Sequence, residues 1–247
     1  MTVRILWMYH DLLDLYGDSG NLLILTRRLS EMGVETSVDR ASIGDTPDFS
    51  AYNLVYFGPG KDRNLEAASV HLVSLRGSVE KAVRGGTQFL VTGNARLMFG
   101  KSFRSERTGR VFEGLGLFDY TGVETGEVFI SDVICCEYDS SEKVYGFINR
   151  TSYIEGNKGP YWFETLRGAK DGDRPGSTPG APQPGDGEGN MTASVCSTWL
   201  LGPVLVKNPH LCRRMLERLC PGVPQNYDDA LAVEAWRRTL SDFPEGR

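Results

Sequence analysis

The chain is poor in the residues that most often announce chemistry. It has three histidines in 247 residues, and none of its five cysteines falls in a C-x-x-C pair. An odd cysteine count without that spacing indicates neither a disulfide framework nor a zinc site, so no metal or other cofactor is expected. There is no basic stripe. Lys plus Arg is 27 against 32 Asp plus Glu, a net charge of −5, which leaves no electrostatic footprint for nucleic acid. No apolar run reaches the length of a membrane span. The apolar start, Met1 to Tyr9, is followed by no small-residue cleavage site, so no signal peptide is expected. With thiols and no disulfide pattern, a reducing cytoplasm is the simplest compartment. Internal repeats are also missing.

What is present is a regular alternation. Val3–Tyr9, Val34–Val38, Asn53–Phe57 and Gln88–Thr92 read as short buried strands, and Ala193–Leu201 as a later one. Between them, Asn21–Met32 has helical spacing at Leu22, Leu25, Leu29 and Met32, with Asp18 and Ser19 as candidate N-caps and Gly33 as a stop. Asn64–Arg84 is helical with an interruption near Gly77, and Ala95–Phe99 begins a short helix. This alternation predicts an α/β fold: a mostly parallel sheet with helices on both faces. Leu117–Glu155 shows short strand-like runs with little helical period, read as strands added to the same domain, antiparallel at one edge. Gly168–Gly189 is rich in Gly, Pro and Asp, and the stretch 168–190 is expected to be a flexible insertion in a single domain. Pro209–Leu219 and Tyr227–Leu240 are amphipathic helices.

Ligands of open α/β sheets bind at the carboxyl ends of strands. Three such ends are informative. Gly58-Pro59-Gly60 is a glycine-rich turn able to aim backbone N–H groups at an anion, or simply a tight turn with proline at its corner. Thr92-Gly93-Asn94-Ala95 passes from a strand straight into a helix, the layout of a nucleophile elbow. Gly93 and Asn94 tolerate unusual backbone angles but cannot attack an amide. Thr198 to Pro203 runs into a Gly-Pro turn, where a general base would face the elbow. Leucines stand there instead, and they accept no proton.

These pieces occur together with Leu15-Tyr16-Gly17-Asp18-Ser19-Gly20-Asn21-Leu22, Phe57-Gly58-Pro59-Gly60-Lys61-Asp62-Arg63, Gly146-Phe147-Ile148-Asn149-Arg150 and Leu201-Gly202-Pro203 through Pro209. In that order, from Val3 to about Leu219, the chain resembles the glutaminase subunits of lipid II isoglutaminyl synthase. That family, GatD, lies within the cobyric-acid-synthase-like class I glutamine amidotransferases. The resemblance implies a flavodoxin-like fold and a Mur-ligase-like partner subunit that binds ATP and amidates the D-glutamate of the lipid II stem peptide. It also implies where the catalytic groups belong. The family's elbow reads Cys-Gly-Gly-Tyr-Gln before Leu-Leu-Gly. Counting back from Gly100 puts the nucleophile at Gly93, and the family's histidine falls on Leu201. The middle loop glycine is Pro59, which has no N–H to donate. Ile148 replaces a glutamate, and Val128 stands where an arginine holds the glutamine carboxylate.

No catalytic residue is therefore expected. The remaining pocket and oxyanion loop would comprise Gly58, Pro59, Gly60, Gly93, Asn94, Asp18 and Asn149. Asp18 is read either as a pocket residue or as a helix cap. Trp162 and Trp199 are either a partner surface or core, and His10 is a solvated loop residue beside Asp11 and Asp14. Three functions follow: a non-hydrolytic scaffold or regulator of a ligase in a heterodimer; an active amidotransferase with a relocated nucleophile such as Cys196; or a sensor holding glutamine or another amino acid in the vacated pocket.

Overall fold

The computed structural model describes residues 1–138, 140–168 and 183–243. Five parallel strands and one short antiparallel strand form the first sheet. In spatial order these are β2 (Glu35–Ala41), β1 (Thr2–Met8), β3 (Leu54–Phe57), β4 (Gln88–Thr92), β12 (Val195–Thr198) and β11 (Asn190–Met191). Only β11 runs antiparallel to its neighbour. The central strands are covered on both faces: every residue of β3 and β12, and all of β4 but Gln88, is buried. That is why they read as continuous apolar runs and not as alternating ones.

Helices connect these strands. α1 (Gly20–Glu31) packs with α4 (Val204–Lys207) and α5 (Pro209–Leu219). The helical stretch read over Asn64–Arg84 is two helices, α2 (Asp62–Ser74) and α3 (Arg76–Arg84), and the break falls at Leu75 and not at Gly77. α6 (Ala230–Ser241) forms as its periodicity predicts, yet none of its residues is buried. Trp236 ties it to the rest by donating its indole N–H to the Lys143 carbonyl at 3.1 Å.

The middle of the chain departs from expectation. The short runs over Leu117–Glu155 are mostly two long strands, β7 (Thr121–Glu137) and β8 (Lys143–Glu155), paired antiparallel. A register shift between Glu124 and Phe129, with Gly126 at φ 80°, lets one strand pass through residues that look like a break in sequence. These strands do not extend the edge of the parallel sheet. With β5 (Ser102–Ser105), β6 (Val111–Glu113), β9 (Phe163–Arg167) and β10 (Gly187–Glu188) they make a second, largely antiparallel sheet in which only β5 and β7 run parallel. The two sheets meet where Phe147 of β8 bridges Leu201.

Of the segment expected to be a flexible insertion, residues 169–182 lie outside the described residues. Its described end is ordered into the sheets. β10 belongs to the second sheet and β11 to the first, and Gly189 between them makes the crossing at φ 69°. A Cβ there would stand 2.5 Å from the Ser197 carbonyl oxygen, so the crossing requires glycine.

Candidate functional site

The elbow is built where β3 and β4 end side by side. Phe57 pairs with Val91, and the chain then leaves β4 into a 3-10 segment, Gly93–Phe99. Gly93 has φ 58°, the left-handed conformation in which an elbow holds its nucleophile. Here no side chain fits. A Cβ on Gly93 would lie 2.7 Å from Cβ of Pro59 and 3.1 Å from Cδ2 of Leu201. The fold thus brings together Gly93, Pro59 and Leu201, positions far apart in sequence, and packs apolar atoms around the turn. Leu201 is 1% exposed.

The loop beside it is closed as well. The Gly60 N–H donates to Oδ1 of Asn94 at 2.9 Å, and Nδ2 of Asn94 donates to the Gly60 carbonyl at 2.7 Å. An oxyanion needs donors that point into free space. Pro59 has none, and the Gly60 donor is engaged. Gly58 is confined too: a Cβ there would meet the Leu13 carbonyl oxygen at 2.6 Å.

Asp18 is fully buried beneath the elbow. Its Oδ2 accepts from the Tyr56 hydroxyl at 2.6 Å, the Thr92 hydroxyl at 2.5 Å and Nδ2 of Asn21 at 3.1 Å. The Gly202 N–H also lies close enough to favour the charged carboxylate, although Oδ1 makes no hydrogen bond of good geometry. Burial pushes the carboxyl up to about 6, against the hydrogen bonds from Thr92 and Tyr56 that favour its charged form. Asn21 continues the network by accepting the Leu205 N–H at 2.9 Å. Asp18 therefore ties β3, β4 and α1 together. It does not cap α1, whose N-cap residue is Ser19.

Asn149 lies on β8, opposite Ile130. Strand alternation puts it on the same face as Phe147 and Thr151. Phe147 packs edge-on to Tyr16, with ring centroids 6.0 Å apart, and the Thr151 hydroxyl donates to Asp62. Asn149 thus faces the loops that flank the elbow. Ile148 and Arg150 face the other way, into a cavity of about 290 Å³ that also holds Arg96, Glu188 and Trp199. Composition and spacing single out none of these as a cluster: Arg96 reads as a helix residue, and Glu188 sits in a segment that reads as a flexible insertion. Trp199 and Trp162 are 7% and 4% exposed and belong to the core. His10 stacks edge-on against Trp7. Val128 is exposed on the irregular part of β7.

Other chemistry is not prepared elsewhere among the described residues. Cys135, Cys196 and Cys212 are buried, and burial pushes Cys196 up to about 11 and Cys212 up to about 12. A thiol held so far above neutral pH supplies no thiolate. One group has the proximity of metal ligands: Glu137, Glu142 and His210, with ligand atoms within 4.8 Å of one another. Arg214 already pairs with both carboxylates, so a guanidinium stands in the place of a cation.

No family model matches the chain. Two curated relatives are named lipid II isoglutaminyl synthase (glutamine-hydrolyzing) subunit GatD. That of Streptococcus pneumoniae (strain ATCC BAA-255 / R6) is 24% identical over 243 residues, covering 97% of this chain and 87% of the relative. That of Staphylococcus aureus (strain N315) is 26% identical over 242 residues, covering 93% of each. A solved crystal structure of a glutamine amidotransferase superposes with a TM-score of 0.50 at 15% identity, over 87% of this chain and 98% of that one. The chain has the α/β fold of the glutamine amidotransferases and is similar over nearly its whole length to GatD subunits.

Proposed function

We propose that this chain is a glutamine amidotransferase-type subunit that no longer hydrolyses glutamine and serves as scaffold or regulator of a Mur-ligase-like amidating enzyme in lipid II modification. One observation carries the loss of hydrolysis. At the left-handed turn after β4 there is no side chain, and the room for one is taken by Pro59 and Leu201. A nucleophile needs its base within hydrogen-bond reach and donors for the oxyanion. The apolar filling and the Asn94–Gly60 pairing oppose both requirements at once. The likeness to GatD subunits over the whole length supports the subunit role, because those relatives are by name parts of a synthase.

The decisive test combines two assays. The chain is purified with whatever ligase-like protein a tagged pull-down recovers, and ammonia release from glutamine is measured. The expected result is a stable complex without glutamine-dependent ammonia. Ammonia release from the complex, lost on mutation of a cysteine of this chain, would establish a relocated nucleophile and end the proposal. The buried, high-pKa thiols argue against that outcome.

A further inference from the structure

A polar cavity lies a few residues from the elbow, on the opposite face of β8 from Asn149. Its floor is Arg96, three residues after Gly93, with Arg150, Glu188 and Trp199. Its wall is Ile148 and Ile154. Both guanidiniums lie over the Trp199 ring, 5.2 Å and 4.9 Å from its centroid. Arg96 is 1% exposed and is the largest of the fully buried side chains.

A guanidinium so far from water requires acceptors for its donors. Arg96 finds few. Nη2 donates to Oδ1 of Asn190 at 2.9 Å, and Nη1 approaches Oε1 of Glu188 only to 3.4 Å. Glu188 gives its shorter contacts to others, accepting the Trp199 N–H at 2.7 Å and the Thr198 hydroxyl at 2.8 Å. Nε of Arg96 is buried and makes no hydrogen bond, although the Tyr120 hydroxyl lies beside the guanidinium. The cavity beside it has room for a small molecule, not only for a water.

We propose that this cavity is a binding site for a small carboxylate, whose head group is taken by Arg96 beside the Trp199 ring. The chemistry selects a carboxylate over a phosphate. A planar, singly charged head matches the guanidinium edge. The buried carboxylate of Glu188 on the same floor opposes a second negative charge. Asp186, the other acid of the lining, is exposed at the rim and accepts the Gln183 N–H, so its charge meets solvent. The site is separate from the emptied elbow and does not rest on the ligase reading.

The test is calorimetric titration of the full chain with glutarate, L-glutamate and inorganic phosphate. Both carboxylates are expected to bind, and phosphate is not. Arg96→Gln should weaken the carboxylates by roughly tenfold or more. Because a change at so buried a residue can impair folding, Ile154→Trp gives a second variant, which fills the cavity from its wall without touching a charge. It should weaken them as much. Leu231→Ala, exposed on α6, should leave binding unchanged. Silence with both carboxylates, binding of phosphate alone, or undiminished binding in a folded Ile154→Trp variant would overturn the assignment.

Discussion

The two faces of β8 hold two sites in opposite condition. On the face of Phe147, Asn149 and Thr151 lies the surround of the elbow, where Pro59 and Leu201 crowd Gly93 and Asn94 is tied to Gly60. On the face of Ile148 and Arg150 lies a cavity with buried charge and open volume. The first is a well-packed core region around a left-handed glycine turn. The second has the polarity and room of a binding site on a backbone with no history of strain at its floor. The difference teaches that a turn geometry and the room to use it are separable: Gly93 holds φ 58° among apolar side chains, while buried charges gather on the opposite face of β8.

The comparison can be broken hardest at Arg96. Arg96→Met removes the nearer of the two guanidiniums beside buried Glu188 and leaves Arg150, and breaking a buried pair costs about 3–5 kcal/mol. The short contacts from Thr198 and the Trp199 N–H keep the expectation at the lower end, about 3 kcal/mol, read as a fall in the midpoint of chemical denaturation.

Asp18 offers a pH test of comparable size. Its folded pKa of about 6 stands above its ordinary value of 3.8, so the native state favours the protonated form. The stability this contributes is complete below about pH 4 and is lost as pH rises through about 6, some 3 kcal/mol at most. The difference between wild type and Asp18→Asn, followed by denaturation from pH 4 to 8, should therefore change through that window and be flat above it. A flat difference throughout would show that the buried carboxylate titrates in its ordinary range.

Restoring a nucleophile sharpens the elbow half of the comparison. Gly93→Cys alone should destabilise by about 1–3 kcal/mol, through the left-handed turn and the contacts with Pro59 and Leu201, and should release no ammonia from glutamine. Gly93→Cys should cost less in a Pro59→Gly/Leu201→Ala background than in the wild type, because those side chains supply the close contacts. An equal cost in both backgrounds, read from melting curves in a mutant cycle, would refute the idea that these two side chains fill the space beside Gly93. The smallest effects belong to the two asparagines. Asn94→Ala loses two hydrogen bonds to Gly60 and should cost about 1–2 kcal/mol. Asn149→Ala, on a half-buried strand face, should stay within about 0.5 kcal/mol by the same denaturation measurement.

Much of this was legible in the chain before any fold was seen. The central strands β3 and β4 announced themselves because parallel strands covered on both sides are largely apolar, and β1 and β12 were legible from their apolar residues beside turn signals. The helices α1, α2, α3 and α5 followed from 3.6-residue spacing. The elbow and its loop were legible as strand ends with glycine and proline. The long strands β7 and β8 were not, because a Gly at a bulge and a polar outer face look like interruptions when pairing partners are unknown. Glu188 was hidden for a related reason: Gly and Asp around it signal solvent, and only its pairing beside β9 and its contacts to Thr198 and Trp199 bury it.

By itself, then, the sequence determined which residue types stand at the carboxyl ends of the strands: a glycine at position 93 and a leucine at position 201. Local chemistry suffices for that. Only the tertiary structure decided that Pro59 and Leu201 converge on Gly93, that Asn94 engages the Gly60 N–H, and that Arg96, Arg150 and Glu188 share one cavity. The physical reason is that burial and contact join residues far apart in the chain. Whether a polar group is a solvated side chain or a buried charge in search of a partner is set by what the fold places around it.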